Sequence, residues 1–180
     1  MIIIDDFLGE SQWKQFTYEG LWYKPKTYEW LGMDQPTRSI WDEIAAHIWM
    51  YIDAREYVEL GSFAGIEHWT NIMKPDGKPD LPLHYDKDEF LWATTGQIIV
   101  PKIGSVLYAH DEQPEGGYLE LMDEHGVSER IAALPNRLIV FPSGLPHQVT
   151  ATTSGVRKVF ATNIWPTKPH EQNFNAENFG

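Results

Sequence analysis

Residues 137–152 read Arg-Leu-Ile-Val-Phe-Pro-Ser-Gly-Leu-Pro-His-Gln-Val-Thr-Ala-Thr. Leu138, Ile139, Val140 and Phe141 form an apolar run of strand length. Pro142, Ser143 and Gly144 are a turn cluster that ends it, and Gln148, Val149 and Thr150 return to β-forming residues. The stretch therefore predicts a strand, a turn that presents His147, and a second strand. The same rhythm continues on both sides, with β-rich runs at 63–72, 97–100, 105–109, 118–122 and 156–165. Turn clusters separate them at 74–79, 115–117 and 154–155. Many short strands with turn signals between them suggest a sandwich, jelly roll or barrel.

The N-terminal third is different. Ile2, Ile3 and Ile4 are a β-branched run, and residues 8–16 suit a short helix. The clearest helix covers 39–55: Ser39 is a candidate N-cap with Asp42 three residues on, and Ile40, Ile44, Ile48 and Ile52 recur every four residues. His47 lies beside that stripe and is expected to be a partly buried structural histidine. Residues 1–180 are thus expected to form one mainly β domain with N-terminal helices packed against it. Its helical part covers about 1–57, its β core about 58–165, and its tail 166–180 lies loosely on the surface.

Fourteen basic and 26 acidic residues leave a net charge of −12, with no run of Lys or Arg. That argues against nucleic acid and anionic membranes, and for a small-molecule, amino-acid or peptide substrate. There are no cysteines, so disulfides, zinc–thiolate sites and thiol nucleophiles are excluded. Asp5 and Asp6 interrupt the first apolar run too early for a signal peptide, and no stretch approaches membrane-helix length. The expected location is cytoplasmic.

Two stretches carry metal chemistry. In Leu83-His84-Tyr85-Asp86, residues i and i+2 of an extended segment share a face, so His84 and Asp86 converge. His147 follows the turn at 142–146. Two imidazoles and one carboxylate on one face of an octahedron suit non-haem iron(II). Arg157, ten residues beyond His147, would share a strand face with Val159, Ala161 and Asn163 while Lys158 points away. A planar guanidinium there could clamp a carboxylate bidentately. His68, His110 and His125 lack ligand-like spacing.

From about residue 63 to 165 the chain resembles the 2-oxoglutarate/iron(II) oxygenases of the prolyl 4-hydroxylase-like branch. The matching residues are His84-Tyr85-Asp86, residues 116–121 beginning Gly116-Gly117, residues 136–142 from Asn136 to Pro142, His147 and Gly155-Val156-Arg157. The resemblance implies a double-stranded β-helix with Fe(II) held by His84, Asp86 and His147. It implies Arg157, with Tyr108, on the distal carboxylate of 2-oxoglutarate as co-substrate, O2 as oxidant and ascorbate as a candidate accessory. The implied reaction is hydroxylation coupled to decarboxylation, with release of succinate and CO2. Asp86 supports hydroxylation, because relatives that halogenate lack the carboxylate.

The chain departs from its relatives at Tyr118, where many carry a glutamate, and at Val159, where some carry a serine. It is also longer between Asp86 and Ser105, which suggests an extra hairpin beside the site. Trp69, Tyr85 and Trp92 are candidate pocket walls. Peptidyl proline, a free amino acid and a small metabolite all remain open as substrates. The rival readings are a cupin-like metal-binding or sensing module without 2-oxoglutarate turnover, and a cupin-type enzyme needing no co-substrate.

Overall fold

The computed structural model describes residues 1–23, 28–55, 62–75 and 81–170. In chain order the elements are β1 (Ile2–Ile4), α1 (Glu10–Phe16), a single 3-10 turn (Glu19–Leu21), β2 (Glu29–Gly32), α2 (Ile40–Asp53), β3 (Gly65–Met73), β4 (Leu81–His84) and α3 (Glu89–Thr95). There follow β5 (Ile103–Tyr108), β6 (Glu115–Gly116), β7 (Leu119–Asp123), β8 (Gly126–Ile131), β9 (Leu138–Phe141), β10 (His147–Val149), β11 (Thr152–Ser154) and β12 (Arg157–Trp165). All strand pairs among them are antiparallel. The larger sheet runs β1-β9-β5-β12-β3-β2 and the smaller β4-β10-β7-β8, with β11-β6 as a short ribbon.

Strand alternation divides the core in two. Phe160 and Ile164 of β12 and Leu107 of β5 face the helices, where they meet Phe16, Trp22, Trp41, Ile44 and Ile48. Val159 and Ala161 face inward, where with Val106 and Phe141 they meet Leu119, Leu121 and Val149 of the smaller sheet. One strand period thus serves both cores. The two facing sheets form a double-stranded β-helix, with the N-terminal helices covering the outer face of the larger one.

Helix α2 forms as its pattern predicts. Ser39 caps it by accepting from the Asp42 N–H at 3.2 Å. Ile44, Ile48 and Ile52 are each 1% exposed, and each contributes about 1.5–3 kcal/mol on burial. His47 is half-buried and packs its ring against Phe7 at 5.1 Å. Among the described residues, no helix is long and apolar enough to cross a membrane.

Three expectations fail. Residues 97–100 form no strand, and the long segment after Asp86 holds α3 instead of a hairpin. The cause is local: the Asp88 carboxylate accepts from the Leu91 N–H at 2.9 Å and caps a helical turn. The start of the tail is also not loose. Asp88 receives both the backbone N–H and Nδ1 of His170 at 2.8 and 2.7 Å. The remainder of that tail, the 57/58 boundary and most of the 74–79 turn lie outside the described residues. Strand β8 escapes the sequence pattern because it is an exposed sheet edge, whose Ser128, Glu129 and Arg130 discourage further strand pairing.

Candidate active site

Strand β10 runs between β4 and β7, and its register sets His147 directly opposite His84. Asp86, two residues beyond His84, turns back to the same point. The ring centroids of the two histidines are 4.3 Å apart, and His84 Nε2 lies 3.7 Å from Asp86 Oδ1. One ligand atom from each of the three residues lies within 4.8 Å of the others. His84 Nδ1 donates to the Pro82 carbonyl at 2.8 Å and His147 Nδ1 to the Leu145 carbonyl at 3.0 Å. A carbonyl only accepts, so both Nδ1 atoms carry the proton and both Nε2 lone pairs are left for a metal. Burial pushes the His147 imidazole below its ordinary value, partly offset by the charge of Asp86.

Arg157 stands in a recess between the sheets that His84, Asp86 and His147 also line. It is 2% exposed, and among the described residues no carboxylate forms an ion pair with it. Its Nη1 reaches only the Met73 thioether at 2.9 Å, a weak acceptor, and its Nε has no partner. The guanidinium carbon is 5.2 Å from the centre of the Tyr108 ring, whose buried hydroxyl is likewise unpaired. Tyr108 pairs across the ladder with Val159, two residues on from Arg157, so its ring lies on the strand next to the guanidinium. Buried polar groups without partners cost about 1–3 kcal/mol each. Two beside one another fit an anionic group with several acceptor oxygens, which is the chemistry of a carboxylate.

Gly117 allows this arrangement. Its φ is +61°, and a Cβ there would lie 2.8 Å from Arg157 Cδ and 2.9 Å from Thr152 Oγ1. Tyr118, the departure noted above, instead lies beneath the Arg130 guanidinium at 4.3 Å. Among the remaining histidines, His110 is engaged elsewhere. His110 donates from Nε2 to the Ala133 carbonyl at 2.9 Å.

A wider cleft of about 690 Å³ opens beside His84 and Asp86, and Trp69, Tyr85 and Trp92 all line it, as the sequence suggested. Asn163, which alternation had placed on the face of Arg157, lines it too, and so does Glu67, which was not foreseen. The signal for Glu67 lay in pairing register: it is opposite Asn163, and so on the inward face shared with Arg157. A second group that could hold a metal by proximity, Glu29, Asp42 and His68, also went unnoticed. Here Asp42 is already occupied, since Oδ1 accepts from His68 Nε2 and Oδ2 from the Arg38 N–H and Nε. These bonds explain the pair as a buried tie between α2 and β3.

The family model of the 2OG-Fe(II) oxygenase superfamily matches residues 71–165. A Pseudomonas putida prolyl-4-hydroxylase superposes with a TM-score of 0.66 at 17% identity, covering 95% of this chain and 87% of its own. The viral collagen prolyl hydroxylase of Paramecium Bursaria Chlorella virus-1 gives 0.60 at 16% identity, with 93% and 90% covered. HygX from Streptomyces hygroscopicus, solved with nickel and 2-oxoglutarate bound, gives 0.62 at 16%, with 92% and 81% covered. No curated protein sequence matches the chain.

Proposed function

The chain belongs to the 2OG-Fe(II) oxygenase superfamily, and on that premise we propose that it is a single-domain hydroxylase of an amino acid, a peptidyl residue or a small metabolite. His84, Asp86 and His147 hold the iron(II), and Arg157 with Tyr108 holds the distal carboxylate of 2-oxoglutarate. The observation that carries this reading is the buried Arg157–Tyr108 pair, whose Nε and hydroxyl have no partner among the described residues, in a recess that His84, Asp86 and His147 also line. A sensing module would need the ligand triad alone. It would have no use for a desolvated arginine without a counter-ion.

Each residue has a separate task. The Pro82 and Leu145 carbonyls fix the imidazoles so that Nε2 points at the metal position. Asp86 supplies the anionic donor. The planar Arg157 fork receives both oxygens of a carboxylate, and the Tyr108 hydroxyl donates a further hydrogen bond. Val106, Leu119, Val149, Val159 and Ala161 line the recess with apolar surface and exclude water from it. When bound, iron(II) and 2-oxoglutarate supply the oxidising chemistry, in which O2 is consumed, succinate and CO2 are released, and a substrate C–H becomes C–OH.

The test is succinate release from 2-oxoglutarate with and without added iron(II), in wild type and His147→Ala. Iron-dependent release that the variant loses, with its circular dichroism unchanged, supports the assignment. Release that survives in a folded His147→Ala protein refutes the triad.

A further inference from the structure

The inward face of β3 carries Met73, Asn71, Trp69 and Glu67 at alternate positions, opposite Arg157, Val159, Ala161 and Asn163 of β12. This strip has an arginine at one end and a carboxylate at the other. Met73 and Glu67 are six positions apart on β3, about 20 Å at strand rise. His84 and Asp86 line both the recess at the arginine end and the cleft at the glutamate end. A dianionic co-substrate therefore has its counter-charge on one side of the metal position, and the opposite polarity waits on the other.

Glu67 receives the Trp165 indole N–H at 2.9 Å and a hydrogen bond from Asn163, both neutral donors. Among the described residues no cation pairs with it. The cleft's own positive groups are engaged elsewhere: Lys87 Nζ is 2.6 Å from Glu89, and His170 Nδ1 is 2.7 Å from Asp88. Burial, opposed by the Trp165 hydrogen bond and reinforced by the charges of Asp86 and Asp88, pushes the Glu67 carboxyl up to about 7. Tyr28, Trp69, Tyr85 and Trp92 supply aromatic faces to the same cleft. Two of them already hold an ammonium, since Lys87 Nζ lies 4.5 Å from the Trp92 ring centre and 5.1 Å from that of Tyr85. A half-buried carboxyl with no cation beside it, set among aromatic faces, recognises an organic cation by charge, which favours its ionised form, and by cation–π attraction.

We propose that the primary substrate carries an amine or guanidinium that docks on Glu67, across the metal position from the 2-oxoglutarate clamp. This rests on the oxygenase reading and narrows its substrate class. The side chain of a peptidyl proline offers no such charge, so Glu67 selects for something else.

The experiment measures binding, without turnover, on protein loaded with nickel and 2-oxoglutarate at physiological ionic strength. Loading commits Asp86 to the metal, so that it does not attract the probe. Tryptophan fluorescence and calorimetry follow 1,5-diaminopentane and agmatine as free cations, 1,5-pentanediol as the neutral counterpart, and acetyl-Gly-Lys-Gly-amide as a peptide-borne cation. The cations should bind at least about tenfold more tightly than the diol. Glu67→Gln, which keeps an acceptor for Trp165, should weaken them by about tenfold to a hundredfold, the scale of a hydrogen bond to a charged group. Nickel-dependent 2-oxoglutarate binding by the variant certifies its fold. A peptide that binds more tightly than the free amines identifies a side-chain cation, and the reverse identifies a free metabolite. Cations that bind no better than the diol, or that ignore Glu67→Gln, overturn the proposal. Wild type that fails to bind 2-oxoglutarate with nickel overturns the oxygenase reading instead.

Discussion

Replacing Arg157 by Met separates stability from co-substrate binding. Arg157 is 2% exposed and has no anionic partner among the described residues, so the fold without co-substrate carries a desolvated charge. Removing a buried charge that lacks a partner and filling its volume with apolar atoms is neutral or stabilising. The melting temperature of the unliganded Arg157→Met protein should therefore equal or exceed that of wild type, against the usual cost of a core substitution. Binding should respond in the opposite sense. Loss of one partner of a buried charge pair costs about 3–5 kcal/mol, or two to four decades in affinity. At a ligand concentration a hundredfold above the wild-type Kd, wild type gains about 2.7 kcal/mol. A variant binding a hundredfold more weakly gains about 0.4 kcal/mol at that concentration. For a chain of this size those figures correspond to melting shifts of about 5–11 °C and under about 2 °C. The assay is thermal unfolding of nickel-loaded wild type and variant, each with and without 2-oxoglutarate. If the variant melts well below wild type without ligand, Arg157 is a structural residue. If 2-oxoglutarate still protects it fully, the clamp lies elsewhere.

Gly117→Ala places a Cβ 2.8 Å from Arg157 Cδ at a φ of +61°. It should raise the 2-oxoglutarate KM by about tenfold or more, at roughly 1–3 kcal/mol of strain, while nickel affinity is retained; equal KM values would show that the glycine serves only its turn. Asp42→Asn weakens the tie to His68 and Arg38, and should cost about 1–3 kcal/mol, a fall in Tm of roughly 2–12 °C. The same pair gives a pH dependence. Burial pushes the Asp42 carboxyl up, but hydrogen bonds from the Arg38 N–H, His68 and the Arg38 guanidinium outweigh it and hold the group below its usual range. A depressed carboxyl stabilises the fold above its unfolded value of about 3.9 and loses that contribution as pH falls through the folded value. The gap in Tm between wild type and Asp42→Asn should thus be full at neutral pH and narrow below about pH 4; a gap that widens on acidification would contradict the assignment.

Features legible in the residues alone were those with short-range periodicity. Asp86 lies beyond the end of β4 and reaches His84 by a turn of the chain, whereas the turn that presents His147 and the alternation around Arg157 each follow from strand geometry and needed no partner strand. The same holds for α2, whose four-residue apolar repeat and Ser39 cap agree. Where local patterns competed, the prediction failed: residues 97–100 look like a strand in isolation, but Asp88 caps a helix just before them. An exposed edge such as β8 carries no apolar stripe at all, so its pairing with β7 was invisible.

The rest depended on register, which is a long-range property. Only the pairing of β12 with β3 sets Glu67 and Asn163 side by side, and only that of β10 with β4 sets His147 against His84. That Arg157 Nε and the Tyr108 hydroxyl find no partner among the described residues was likewise beyond the sequence, because an absence of partners depends on every strand that could have supplied one. Residue type could say that an arginine was available to clamp a carboxylate. Packing alone decided that this arginine is buried, with no carboxylate paired to it among the described residues, because burial depends on every strand laid around it.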